Sequence, residues 1–116
     1  MTVLDAYAVV AYLRGETAAD EVAVLLESPT WLSAVNAAEV MDQLVRVDGQ
    51  DRDEVQIRLA TLQVTGMRVC PVSDELGVAA GALRAKHYSQ RTCNVSLADC
   101  FAAATALDLD IPIATA

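Results

Sequence analysis

Apolar residues fall along the chain in short continuous runs that alternate with stripes at helical spacing. Val3–Leu4 is a brief apolar run ending at Asp5, and Ala6–Leu13 after it reads as a helix closed by Gly15. Ala18–Glu27 reads as a second amphipathic helix, stopped by Ser28-Pro29. Trp31-Leu32 is the next short strand, with Trp31 expected in the core. A long helix from Ala34 to Val47 follows, and Asp48-Gly49 makes the turn out of it. Asp51–Gln63 continues as helix with Val55, Leu59 and Leu62 on one face, and Met67–Val72 reads as a strand. Leu76, Ala79, Ala80 and Leu83 keep the spacing of a packed helix, with Asp74 as its cap or else as a support behind the site. Leu97, Cys100, Phe101 and Ala104 repeat that spacing, and Ile111–Ala114 closes the chain as a strand.

Strands that are continuously apolar, rather than alternating, are buried on both faces. Their alternation with helices predicts a three-layer α/β/α sandwich around a short central parallel sheet, as a single domain over residues 1–116. Sites in such sheets form beyond the carboxyl ends of the strands. With 54% hydrophobic residues the chain can build a core, which excludes a disordered acidic tail. The apolar run over residues 6–13 falls far short of the ~20 residues a bilayer requires, and the N-terminus lacks the basic segment of a signal peptide. No membrane association and a cytoplasmic location are therefore expected. Cys70, Cys93 and Cys100 are odd in number and lack CxxC spacing, which disfavours a disulfide framework or zinc ribbon and fits a reducing compartment. His87 is the only histidine, so paired-histidine metal chemistry is excluded, and the residue reads mainly as solvated surface. The net charge of −8 argues, taken alone, against a nucleic-acid binder.

Three carboxylates change that picture. Asp5 follows the first strand directly, where it serves either as a helix N-cap or as an acid at the sheet's carboxyl edge. Glu39 lies in the helix after the second strand. Asn36-x-x-Glu39 resembles a capping box, but Ser33 competes as the true cap, which leaves Glu39 on a polar stripe with Asp42, Gln43 and Arg46. Asp99 completes a capping-box pattern with Ser96, yet it is the one charge between Leu97 and Leu107, among small neighbours at Ala102, Ala103 and Ala106. A carboxylate on an otherwise apolar helix is expensive to bury alone, which favours a functional acid there. Converging carboxylates raise one another's pKa unless a cation neutralises them. Oxygen ligands without His or Cys suit Mg²⁺ or Mn²⁺, which bind phosphate oxygens and assist phosphodiester hydrolysis.

Val3-Leu4-Asp5, Ser33-Ala34-Val35-Asn36-Ala37-Ala38-Glu39-Val40 and Ser96-Leu97-Ala98-Asp99-Cys100, in this order and spacing, resemble a PIN domain. More narrowly, the chain is similar to the VapC-type ribonuclease toxins of bacterial toxin–antitoxin pairs. The resemblance implies an α/β/α fold, Mg²⁺- or Mn²⁺-dependent cleavage of RNA, homodimerisation, and inhibition by a cognate antitoxin protein. Carried to this sequence, it makes Asp5 and Asp99 the principal metal ligands and Glu39 the supporting acid, direct or through water. The family pattern sets a fourth acid after a strand of the type Pro-x-x-Thr-Ala. Here Pro112-Ile113-Ala114-Thr115-Ala116 ends the sequence, so a domain short of its closing elements is expected.

The remaining candidates divide between plain and functional readings. Arg84, Lys86, Tyr88 and Arg91, with His87 among them, read either as a solvated helix end or as a grip on the RNA backbone with Tyr88 stacking on a base. Arg14 and Arg46 are weaker candidates for the same role. Gly77-x-x-x-Gly81 lacks the GK[ST] of a phosphate loop and reads as close helix packing. Val9, Val10 and Leu13 form a face for a partner helix, a dimer surface or plain core. The rival to an enzyme is a non-catalytic PIN-like module that binds RNA or protein. A phospho-receiver domain would want a lysine on a late strand, whereas Lys86 lies in a helical stretch. A haloacid-dehalogenase-type phosphatase would want a second Asp at Tyr7.

Overall fold

The structure is a computed structural model, and it describes residues 1–115. Ala116, the last residue of the Pro-x-x-Thr-Ala segment, lies outside the described residues. In chain order the elements are β1 (Thr2–Leu4), α1 (Ala6–Arg14), α2 (Ala19–Leu26), β2 (Thr30–Ser33), α3 (Ala34–Asp42), α4 (Arg52–Val64), β3 (Met67–Cys70), α5 (Asp74–His87), α6 (Leu97–Leu109) and β4 (Ile113–Ala114). The strands make one parallel sheet in the order β3-β2-β1-β4, with Val3 opposite both Trp31 and Ile113. The chain runs from β1 outward through β2 to β3 and then returns to the other side of β1. The strand order therefore reverses between β1 and β4, the place where open parallel sheets form their binding crevices.

Helices flank the sheet and make it an α/β sandwich, as the alternating pattern predicts. The main core joins Leu4, Leu32 and Met67 of the sheet to Val9 and Leu13 of α1, Val22 of α2, Val40 of α3 and Val55 and Leu62 of α4. Val9, Val10 and Leu13 are thus core, and the docking-face reading of that helix is corrected. A smaller core lies between α5 and α6, where Ala80, Cys100 and Ala104 are buried against Leu76, Leu83, Val95 and Phe101.

Several local expectations need correction. The third helix keeps α-helical turns only to Asp42; Gln43–Val47 is a π-helical turn in which the Asp48 N–H reaches back to the Gln43 carbonyl at 3.1 Å. The strand expected over Met67–Val72 stops at Cys70, because Pro71 has no N–H to give the ladder. Ser73, not Asp74, caps α5, its hydroxyl accepting from the Leu76 N–H at 3.1 Å. Trp31 is half-buried rather than core: it lies on the face of β2 opposite Thr30 and Leu32, beside exposed Arg68 of the edge strand. Gly77 and Gly81 are not at a close approach, since a Cβ added to either meets no atom within 4 Å. The apolar α6 is buried only along its middle, from Cys100 to Ala106, while Leu97 and Leu107 at its two ends are exposed.

Candidate active site

Asp5 is fixed by the strand that precedes it and the helix that follows. Its backbone N–H donates to the Ala114 carbonyl of β4 at 3.1 Å, so the β1–β4 pairing reaches the residue itself. Its Oδ1 accepts from the Ala8 N–H at 2.9 Å and caps α1. The residue is 7% exposed, yet its second carboxylate oxygen has no donor among the described residues. The capping role and the sheet-edge role therefore hold together.

Asp99 is set by a complete capping box at the start of α6. The Asp99 N–H donates to Ser96 Oγ at 3.0 Å, and Asp99 Oδ2 accepts from the Ser96 N–H at 2.9 Å. Here too one carboxylate oxygen is held and the other is left over. Asp5 and Asp99, with Tyr7, Ala102, Ile113 and Thr115, line one cleft of about 300 Å³ at the point where the strand order reverses.

Glu39 stands beside this pair. Ser33 caps α3 by accepting from the Val35 N–H at 3.3 Å, so the Asn36-x-x-Glu39 capping box does not form. Glu39 lies in the second turn, half-buried, and its Oε1 accepts from Asn36 Nδ2 at 3.4 Å. Burial pushes the Glu39 carboxyl above the usual carboxylate range; the Asn36 amide opposes this, while the charges of Asp99, Asp5 and Asp42 add to it. Both cleft acids therefore act on Glu39 through their field.

Arg14 and Arg46 are occupied by other acids. Arg14 grips Asp48 in a two-pronged pair at 2.7 and 2.8 Å, and Arg46 grips Asp42 at 2.8 and 2.9 Å, which removes both from the pool of free cations. Asp5, Glu39 and Asp99 make no ion pair among the described residues. Nor, among the described residues, do three acidic, His or Cys side chains stand close enough together to hold an ion jointly. The donor set is all oxygen and half-committed, with one spare oxygen on each acid. That composition fits a hard divalent cation that keeps much of its water and takes only one or two carboxylates directly; it does not form a closed protein cage.

The basic segment is sorted by its contacts. Arg84 donates from Nε to the Val95 carbonyl at 3.1 Å and lies 4.3 Å over the Tyr88 ring, so it is a brace inside the α5–α6 connection. Lys86 and Arg91 are exposed and make no ion pair among the described residues, and His87 is exposed as the solvated-surface reading has it. Lys86 lies in the last turn of α5 and Arg91 in the 88–96 connection to α6, whose first turn carries Asp99. Sequence reasoning missed the part played by Asn36, whose signal was its position one turn before Glu39 on the same helix.

The chain is thus an α/β domain with an all-parallel sheet, in which Asp5 and Asp99 line a cleft where the strand order reverses. The PIN domain profile matches residues 2–116, and the chain belongs to the PIN domain family. Among solved structures, a toxin–antitoxin complex from Klebsiella pneumoniae is similar with a TM-score of 0.72 and 18% identity, over 97% of this chain and 83% of that one. VapC20 of Mycobacterium tuberculosis, a sarcin–ricin loop cleaving toxin, is similar with a TM-score of 0.74 and 18% identity, over 96% of this chain and 85% of that one. At these identities the likeness is one of fold. No curated protein matches the chain.

Proposed function

We propose that this PIN domain is a divalent-cation-dependent endoribonuclease of the VapC type, restrained by a cognate antitoxin protein. The observation that carries the reading is the shared cleft of Asp5 and Asp99 at the sheet's switch point, two acids that among the described residues make no ion pair and each keep one uncommitted oxygen. Asp5 and Asp99 would hold Mg²⁺ or Mn²⁺, with Glu39 supporting them through water. When bound, such an ion supplies charge neutralisation at a phosphate and lowers the pKa of water. The capping bonds of Asp5 and Asp99 fix each carboxylate from one side and leave the other for this work.

In this reading Lys86 and Arg91 draw the RNA backbone toward the cleft, and Tyr88 offers the ring face that Arg84 does not cover. The net charge of −8 is compatible with this, because part of it is the cation site and the local field outweighs the total. The solved relatives lend support: one is described as a sarcin–ricin loop cleaving toxin and the other as a toxin–antitoxin complex. A homodimer and a cytoplasmic site of action belong to the same proposal. Among the described residues no helix is long and apolar enough to cross a membrane.

The test is cleavage of RNA in Mn²⁺ by the parent and by Asp5→Asn and Asp99→Asn. The proposal expects the parent to cut and both variants to lose cutting. RNA bound without cleavage, together with no Mn²⁺ uptake by calorimetry, would favour the non-catalytic PIN-like module.

A further inference from the structure

Asn36 is an unusual residue for its place. It is 1% exposed, inside the first turns of α3, where an apolar side chain would pack without polar demands. Its Nδ2 carries two hydrogens and meets two acceptors, the Ala98 carbonyl at 3.1 Å and Glu39 Oε1 at 3.4 Å. Both partners are acceptors only, so the amide orientation follows from chemistry. Its Oδ1 is buried and has no donor among the described residues. A buried acceptor left unpaired is destabilising, and a leucine of similar size would avoid that cost. The amide is therefore held for what its N–H groups do.

What they join is specific. Ala98 immediately precedes Asp99 in the first turn of α6, and Glu39 sits one turn after Asn36 on α3. One amide thus ties the backbone under Asp99 to the carboxylate of Glu39, across two helices that are distant in sequence. We infer that Asn36 is a positioning residue: it sets where the Glu39 carboxylate stands relative to the turn that carries Asp99. The inference rests on the nuclease reading for its purpose but not for its geometry. Partners that orient the ligands of an ion in this way change its affinity by roughly 10–100-fold when removed.

The experiment is a double-mutant cycle of Asn36→Ala and Glu39→Gln read as Mn²⁺ affinity by isothermal titration calorimetry, with urea unfolding of each protein to fix the folded fraction. Asn36→Ala is expected to weaken Mn²⁺ binding by roughly tenfold or more. In the Glu39→Gln background the same change is expected to cost little more, because the carboxylate it orients is gone. Asn36→Ser keeps one hydroxyl donor in a smaller side chain, and recovers part of the affinity; it also serves if the alanine variant does not fold. Mn²⁺ affinity within about twofold of the parent in a folded Asn36→Ala protein, or full additivity with Glu39→Gln, overturns the positioning role and leaves the nuclease reading standing. A parent protein that neither takes up Mn²⁺ nor cuts RNA overturns the nuclease reading, and the role of Asn36 toward an ion with it.

Discussion

Arg84 donates from Nε to the Val95 carbonyl at 3.1 Å, and through that bond α5 holds the residue that precedes the Ser96 cap of α6. The same guanidinium covers the Tyr88 ring at 4.3 Å, so one side chain pins both ends of the connection that leads to Asp99. Arg84→Ala is expected to lower stability by about 1–2 kcal/mol, from one hydrogen bond and one cation–π contact. Lys86→Ala and Arg91→Ala, on exposed cations, should leave stability within about 0.5 kcal/mol. They should instead weaken RNA binding and flatten its salt dependence. Urea unfolding and RNA-binding titrations at two salt concentrations separate the two classes. An Arg84→Ala protein as stable as the parent would remove the brace from this account.

Glu39 gives a pH dependence with a definite sign. Its folded-state carboxyl lies above the ordinary value of 4.5, so in metal-free buffer its contribution is intact below that value and is lost as pH rises through the folded one. Glu39→Gln should therefore unfold at higher urea than the parent near pH 7, with the gap closing near pH 4. Saturating Mn²⁺ should stabilise the parent more than the variant and narrow or reverse the gap. Equal urea midpoints at both pH values would contradict the raised carboxyl.

Gly77 and Gly81 sit within α5 with nothing within 4 Å of an added Cβ. Gly81→Ala, and separately Gly77→Ala, should raise stability by about 0.5–1 kcal/mol through helix propensity alone. Leu44, fully buried in the main core, provides the opposite control: Leu44→Ala should cost about 2–5 kcal/mol. Thermal unfolding reads all three. Destabilisation by either glycine change would mean that the helix face is covered in solution.

The layers and the placement of Asp5 and Asp99 were legible because each of these two acids sits against a boundary that sequence marks well. Asp5 ends an apolar strand, Ser33 and Ser96 announce the helices of Glu39 and Asp99, and Gly15 closes α1 with a φ of 69°. Contacts between distant segments left no such mark. Asn36-x-x-Glu39 has the spacing of a local capping box, with Ser33 competing as the cap, whereas the shorter Asn36 bond crosses to Ala98. The sequence leaves Arg84 between a solvated helix end and a grip on RNA, because its acceptor in the fold is a backbone carbonyl, which has no side-chain signature. The glycine spacing suggested close packing, although spacing says nothing of whether a neighbour is present. The π-helical turn after Asp42 adds a residue to the turn without altering the apolar pattern, so periodicity passes over it.

The central claim is that Asp5 and Asp99 act as one cation-dependent site for RNA hydrolysis. The most direct measurement is the rate of RNA cleavage with Mn²⁺ and with chelator, for the parent and for Asp5→Asn and Asp99→Asn at matched folded fraction. The account predicts cleavage by the parent that chelator abolishes, and a loss of at least about a hundredfold in each variant. Cleavage that survives both substitutions, or that persists in chelator, would contradict it.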